Sequence, residues 1–232
     1  MEVTPVQTIT AARLASRKKQ TFVKEYIEAV LIALVIAVIL RMFVVQAYRV
    51  NSGSMESTLL TGDFIFVNKF SYYFSEPKVG DIIVFEYPLN PSKDFIKRIV
   101  ALPGQKVEIV DKNLYVDDEL VPDAGGVIHR DPEIIPELFS PRDNFGPFEI
   151  PAGQYFVLGD NRDDSQDSRF WGFLESKYIK GKGMFIYWSW EPDSNAPTIG
   201  PPLYIDGLIS SILYNIVHFP GRIRWERLFD RI

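Results

Sequence analysis

Residues 26–45 read YIEAVLIALVIAVILRMFVV, a run in which only Glu28 and Arg41 are charged. A helix over it rises about 30 Å, the thickness of a bilayer core. Both charges sit near its ends, where long side chains reach the headgroup layer. A buried core helix would show a polar stripe at the helical period, which Ala29–Leu40 lacks. A cleavable export signal would pair a shorter apolar run with a small-x-small site, and Val45-Gln46-Ala47 is a poor one. The run therefore predicts an uncleaved transmembrane helix over 26–46. The preceding arm, 1–25, carries Arg13, Arg17, Lys18, Lys19 and Lys24 and would by itself suit nucleic acid, but next to an apolar span it places the N-terminus in the cytoplasm. Residues from 47 onward then lie outside, and they carry the acidic excess of a chain whose net charge is −5.

The chain has no cysteine, which excludes a disulfide scaffold and thiolate-held zinc or iron–sulfur centres. Two histidines, His129 and His218, leave little material for a multi-histidine metal site or a histidine triad. Hydrolytic chemistry in such a chain must draw on other residues.

Beyond Gln46, short β-branched and aromatic runs alternate with Gly, Pro, Asn and Asp. Strands are expected at Phe64–Asn68, Ile82–Glu86, Ile96–Ala101, Lys106–Val110, Leu114–Val116, Gln154–Leu158 and Met184–Trp188, with a hairpin turn at Asp111-Lys112-Asn113. This predicts a mainly β body of antiparallel hairpins over 47–195, with 119–150 as a looping insertion and 196–232 as a C-terminal segment. Two apolar features, Phe70–Phe74 and Leu203–Phe219, suit either core packing or an interfacial contact with the bilayer.

Three stretches can carry chemistry. Asn51-Ser52-Gly53-Ser54-Met55-Glu56-Ser57 begins within about ten residues of the expected outer membrane face, and its small residues can present a hydroxyl and backbone N–H groups to a substrate. In Asp94-Phe95-Ile96-Lys97-Arg98-Ile99-Val100-Ala101-Leu102-Pro103-Gly104, strand alternation sends Lys97 to the face opposite Ile96 and Arg98. A lysine desolvated there can lose its proton near neutral pH and accept one from a serine, whereas a solvated edge lysine cannot. The third, Gly159-Asp160-Asn161-Arg162-Asp163-Asp164-Ser165-Gln166-Asp167-Ser168-Arg169, is rich in carboxylates. A calcium loop starting at Asp160 would need an oxygen ligand third and glycine sixth, where Arg162 and Ser165 stand, so an ion-paired loop fits better.

In this order, together with Gly62–Phe70 and the run Gly183–Trp190, the motifs resemble those of the bacterial type I signal peptidases. The resemblance implies a mixed antiparallel β-sheet catalytic domain tethered by one N-terminal transmembrane helix in the bacterial inner membrane. It implies Ser54 as nucleophile, Lys97 as general base, and the Ser52 hydroxyl with the Ser54 amide as oxyanion hole. Ser165 matches the hydroxyl that orients the lysine, and Asp160 with Arg98, and Asp167 with Arg169, match structural ion pairs. Val50, Met55, Leu59, Phe95 and Ile96 match pocket residues for small substrate side chains. The chain departs from the family where proline often flanks SerGlySerMet: Asn51 and Ser57 stand there.

The implied reaction is removal of signal peptides from exported preproteins after a small-x-small site. It needs no metal, cofactor or nucleic acid, and the monomer at the bilayer suffices for it. The penicillin-binding SxxK pattern occurs only as Ser16-Arg17-Lys18-Lys19, inside the basic arm. Self-cleaving repressor peptidases share the Ser/Lys arrangement but lack such an anchor. A tethered β-domain that binds exported chains without cutting them is the reading from another class, and an inactive relative of that kind is expected to lack Ser54 or Lys97.

Overall fold

The computed structural model describes residues 24–38, 45–193, 195 and 205–232. Most of the expected basic arm, residues 39–44 of the expected span, and residues 194 and 196–204 lie outside the described residues. The chain falls into two units, Met1–Val45 and Gln46–Ile232. In the first, α1 (residues 24–38) is helical with every residue exposed. Among the described residues no helix is long and apolar enough to cross a membrane. The expected helix end at Gln46 is corrected: the chain is already extended in β1 (Val45–Arg49). β-branched Val45 continues the apolar run, so hydropathy alone does not mark the change.

The second unit is built on two sheets. Seven strands lie in the order β1-β2-β11-β3-β4-β9-β10 and four in the order β7-β6-β5-β8, where β2 is Asp63–Asn68, β3 Ile82–Glu86, β4 Asp94–Ala101, β5 Lys106–Val110, β6 Asn113–Val116, β7 Glu119–Leu120, β8 Phe145–Glu149, β9 Gln154–Leu158, β10 Leu174–Glu175 and β11 Ile179–Ser189. The pairings β2–β11, β11–β3, β3–β4, β4–β9 and β9–β10 are antiparallel, as are those within the smaller sheet. In β2 the alternation is plain: Asp63, Ile65 and Val67 point inward, while Phe64, Phe66 and Asn68 take the half-buried face. Central β3, IIVFE, is apolar on both faces, as befits a strand between two others. β5 turns into β6 through Asp111 and Lys112, both at positive φ, which matches the twist of a two-residue hairpin.

The core below the SerGlySerMet loop is Val50, Met55, Leu59, Ile65, Val67, Ile82, Val84 and Ile186. The aromatic run Phe70–Phe74 divides its roles. Tyr72 packs against a second cluster, which includes Ile83, Phe85, Ile99 and Val157, and donates its hydroxyl to Asp81, whereas Tyr73 and Phe74, on the short helix α2 (Ser71–Phe74), are exposed.

The insertion holds more structure than a loop. It contains β7 and β8, and its charges are paired within it and with residues outside it. Arg142 grips buried Asp143 through Nε and Nη2 at 2.8 and 2.7 Å and reaches Asp131 at 2.9 Å, while from outside the insertion Lys112 donates to Asp131 O at 2.5 Å and Asp163 accepts from Asp131 N–H at 2.8 Å.

After the helix α4 (Ile205–Arg222), residues 223–232 return to run beside β11 beyond the reach of β3. Phe229 N–H donates to Ile186 O, Ile186 N–H to Asp230 O, and Ile232 N–H to Met184 O. This return brings Arg227 to Asp63, a fully buried carboxylate that also accepts from the Ser189 hydroxyl and the Leu60 amide. Arg227 donates in addition to Thr58 O at 2.9 Å. Asp63→Ala leaves the guanidinium and Ser189 without their partner, and is expected to cost about 3 kcal/mol of stability. Urea unfolding checks it, as a lower midpoint at unchanged slope.

Candidate active site

The segment after β1 turns through Ser52–Leu60, pinned at each end. Val50 N–H donates to Asp63 O, and Gly62 N–H to Val50 O. Asn161 holds the middle, its backbone N–H on Ser54 O and its side-chain amide on Gly53 O, both at 3.1 Å. Met55 and Leu59 anchor the loop in the core, which leaves the Ser54 side chain facing β4.

Lys97 stands in β4 opposite Ile83 of β3, with only 3% of its surface exposed. Its Nζ donates to Ser54 Oγ at 2.5 Å, and the Ser52 hydroxyl lies 3.2 Å from the same oxygen. Burial pushes the Lys97 ammonium down from 10.5 to about 8, against the pull of Asp167, Asp160 and Asp164 and with the help of Arg169. At pH 7 roughly a tenth of the molecules then carry a neutral amine there, against a negligible fraction for a solvated lysine.

The Asp-rich loop surrounds this pair with charges that are themselves paired. Arg98 clasps Asp160 at 2.8 and 2.7 Å, and Arg169 clasps Asp167 at 2.8 Å through each of Nε and Nη2. Burial alone would raise the Asp167 carboxyl, but the adjoining Arg169 guanidinium holds it below the ordinary carboxylate range. Thr58 donates its hydroxyl to Asp160 at 2.6 Å, tying the serine loop to the same pair. Asp167 also caps the short helix α3 (Ser168–Trp171) by accepting from Arg169 N–H. The Ser165 hydroxyl is buried and, among the described residues, has no hydrogen-bond partner, so it does not bond to Lys97. It packs instead against Gly159, beside Ser54 O.

A cleft of about 530 Å³ opens over Ser54 and Lys97. Val50, Met55, Phe95 and Ile96 are among its walls. Leu59, which the family resemblance placed with them, lies fully buried in the core beneath. The chain also contributes Arg49, Lys93, Asp94, Asp164 and Gln166, which the sequence reading did not single out. Lys93 and Asp94 had a signal, as charges opening a strand whose interior carries the lysine. Among the described residues no cluster of three or more His, Asp or Glu side chains is arranged to hold a metal ion.

This arrangement has the parts for nucleophilic attack with a lysine base, at a cleft open over both residues. The family model for signal peptidase, peptidase S26, matches residues 23–188. A signal peptidase I of Aquifex aeolicus is 37% identical over 86% of this chain and 96% of its own, and a probable signal peptidase I-1 of a Synechocystis strain is 40% identical over 72% and 83%. A solved signal peptidase I from Enterococcus faecalis is 29% identical over 47% of this chain and 97% of its own, but at a TM-score of 0.36 the likeness is too loose to bear on the fold. The chain therefore belongs to the signal peptidase family, peptidase S26, and is a serine peptidase of the hydrolase class.

Proposed function

We propose that this chain is a membrane-anchored endopeptidase that removes signal peptides from exported preproteins with Ser54 as nucleophile and Lys97 as general base. The observation that supports this most is the buried contact between Lys97 Nζ and Ser54 Oγ at the floor of the cleft. Neutral Lys97 takes the hydroxyl proton as Ser54 Oγ attacks the scissile carbonyl. The oxyanion forms beside the Ser52 hydroxyl and the Ser54 amide. Protonated Lys97 passes its proton to the leaving amine, and the free amine then draws a proton from the water that hydrolyses the ester. Val50, Met55, Phe95 and Ile96 give the cleft apolar walls that favour small side chains. The apolar run that begins at Tyr26 and ends before β1 spans the bilayer with the N-terminus in the cytoplasm, the body 47–195 acts at the outer face of the bacterial inner membrane, and the monomer is the working unit. Exposed Ile212, Leu213, Ile216 and Val217 on α4 offer that body a further apolar face for lipid.

Incubating the purified full chain in detergent with a preprotein, and sequencing the new N-terminus, tests the reading. The expected product begins immediately after a small-x-small site. Tight binding of the preprotein with no cut would move the weight to a tethered binding domain.

A further inference from the structure

Ser57 has φ +81°, in the left-handed region, within a few residues of the nucleophile proposed above. Proline, whose ring fixes φ near −65°, cannot take this conformation. Yet proline is often the residue here in the family the chain resembles. What holds Ser57 comes from the insertion: its hydroxyl donates to Gly126 O, 69 positions along the chain. Two neighbours join the same contact. Arg130 meets Glu56 at 2.8 Å, and Gly126, itself at φ +103°, lies so close to Thr58 that an added Cβ would come within 2.4 Å of the threonine hydroxyl. On its other side the insertion is fastened to the Asp-rich loop. Ile128 N–H donates to Asp160 O and Ile128 O accepts from Arg162 N–H, at 2.9 and 3.0 Å. Residues 126–130 thus lie between the segment that follows Ser54 and the segment that, through Asn161, holds Ser54 O.

We propose that Ser57 is a positioning residue: its left-handed backbone, latched by its hydroxyl to Gly126, makes the insertion part of the frame that aims Ser54 at Lys97. The inference rests on the Ser54/Lys97 reading and deepens it. A proline would reverse the sign of φ one helical turn or less from the nucleophile and swing the Met55–Thr58 backbone away from the insertion. Glycine would keep the backbone accessible and lose only the latch.

The test is steady-state cleavage of a preprotein by the full chain in detergent, with kcat and KM separated and Tm recorded alongside. Ser57→Pro is expected to lower kcat at least ~30-fold, since a displacement of about 1 Å at the reacting atoms is that costly, with KM and Tm little changed. Ser57→Gly is expected to lower kcat roughly threefold to tenfold, the equivalent of one hydrogen bond. A family-like Ser57→Pro enzyme within twofold of the unsubstituted rate overturns the proposal, as does a loss confined to KM or paralleled by Tm. Should the proline variant fail to fold, Ser57→Gly carries the test alone, and an unchanged kcat there overturns it. No cleavage by the unsubstituted chain overturns the latch and the dyad together, which separates that failure from a failure of the latch alone.

Discussion

Lys97→Ala is expected to lower kcat for preprotein cleavage at least ~10⁴-fold, because removing the base from a serine nucleophile costs that order where the two act as a unit. Lys97→Arg should fail equally, since a guanidinium stays protonated. In the unsubstituted chain kcat/KM should rise with pH through about 8, as Lys97 loses its proton. The same shift has a cost in stability. The native state holds the lysine proton less tightly than the unfolded chain does, so stability rises with pH between about 8 and 10.5 and is lost as pH falls through 8. The full difference is roughly 3 kcal/mol. Lys97→Met should therefore be inactive yet more stable than the parent at pH 7, with the gain shrinking as pH rises from about 8 to 10.5. An alanine variant cutting within tenfold of the parent would sink the dyad.

The second large effect is expected at Gly159, which precedes the Asp-rich loop at the end of β9. A Cβ there would stand 2.2 Å from Ser165 Oγ and 2.4 Å from Ser54 O, and the latter is backbone that cannot swing aside. Gly159→Ala should displace the nucleophile and lower kcat by at least ~10²-fold. Gly125→Ala, where nothing lies within 4 Å, is the matched control and should cleave normally. Equal rates for both variants would mean that the Ser54 loop yields without loss.

The strands legible from the sequence are those rich in β-branched and aromatic residues and free of glycine and proline. β3 and β9 run over the residues expected, and β2, β4 and β6 differ only at their first residues. β11 was expected only from Met184, but it begins at Ile179 and runs through Gly181 and Gly183. In the sheet those glycines are extended, with Gly181 paired to Val84, and the strand absorbs two register shifts against β2. β8 hides behind Gly146-Pro147, and β7 is two residues long. The insertion looked structureless because what orders it is polar pairing, Arg142 with Asp131 inside it and Lys112 and Asp163 on the Asp131 backbone from outside, whose partners no local pattern connects.

At the site, Ser52, Ser54 and Lys97 could be singled out because their motifs are local and the chemistry demands those residue types. The burial that lowers the Lys97 ammonium was not legible, since it comes from packing between β3 and the Asp-rich loop. Leu59 was carried to the pocket by its place in the motif, and the turn at Ser57 directs it inward instead. Ser57 stands out in the sequence only as a departure from the family's proline, whereas its hydroxyl reaches a residue far along the chain.

The return of residues 223–232 along β11 bears on the order in which the molecule can be finished. Ser54, Lys97 and the whole Asp-rich loop emerge from the ribosome before Arg227, which closes the charge on Asp63 and braces Thr58 O behind the serine. A nascent chain halted at residue 222 already owns every group proposed for the chemistry, and still has an open edge on β11 and a buried carboxylate short of its arginine. Synthesis itself thus delays the completed site until the segment that locks it has followed the rest of the body out.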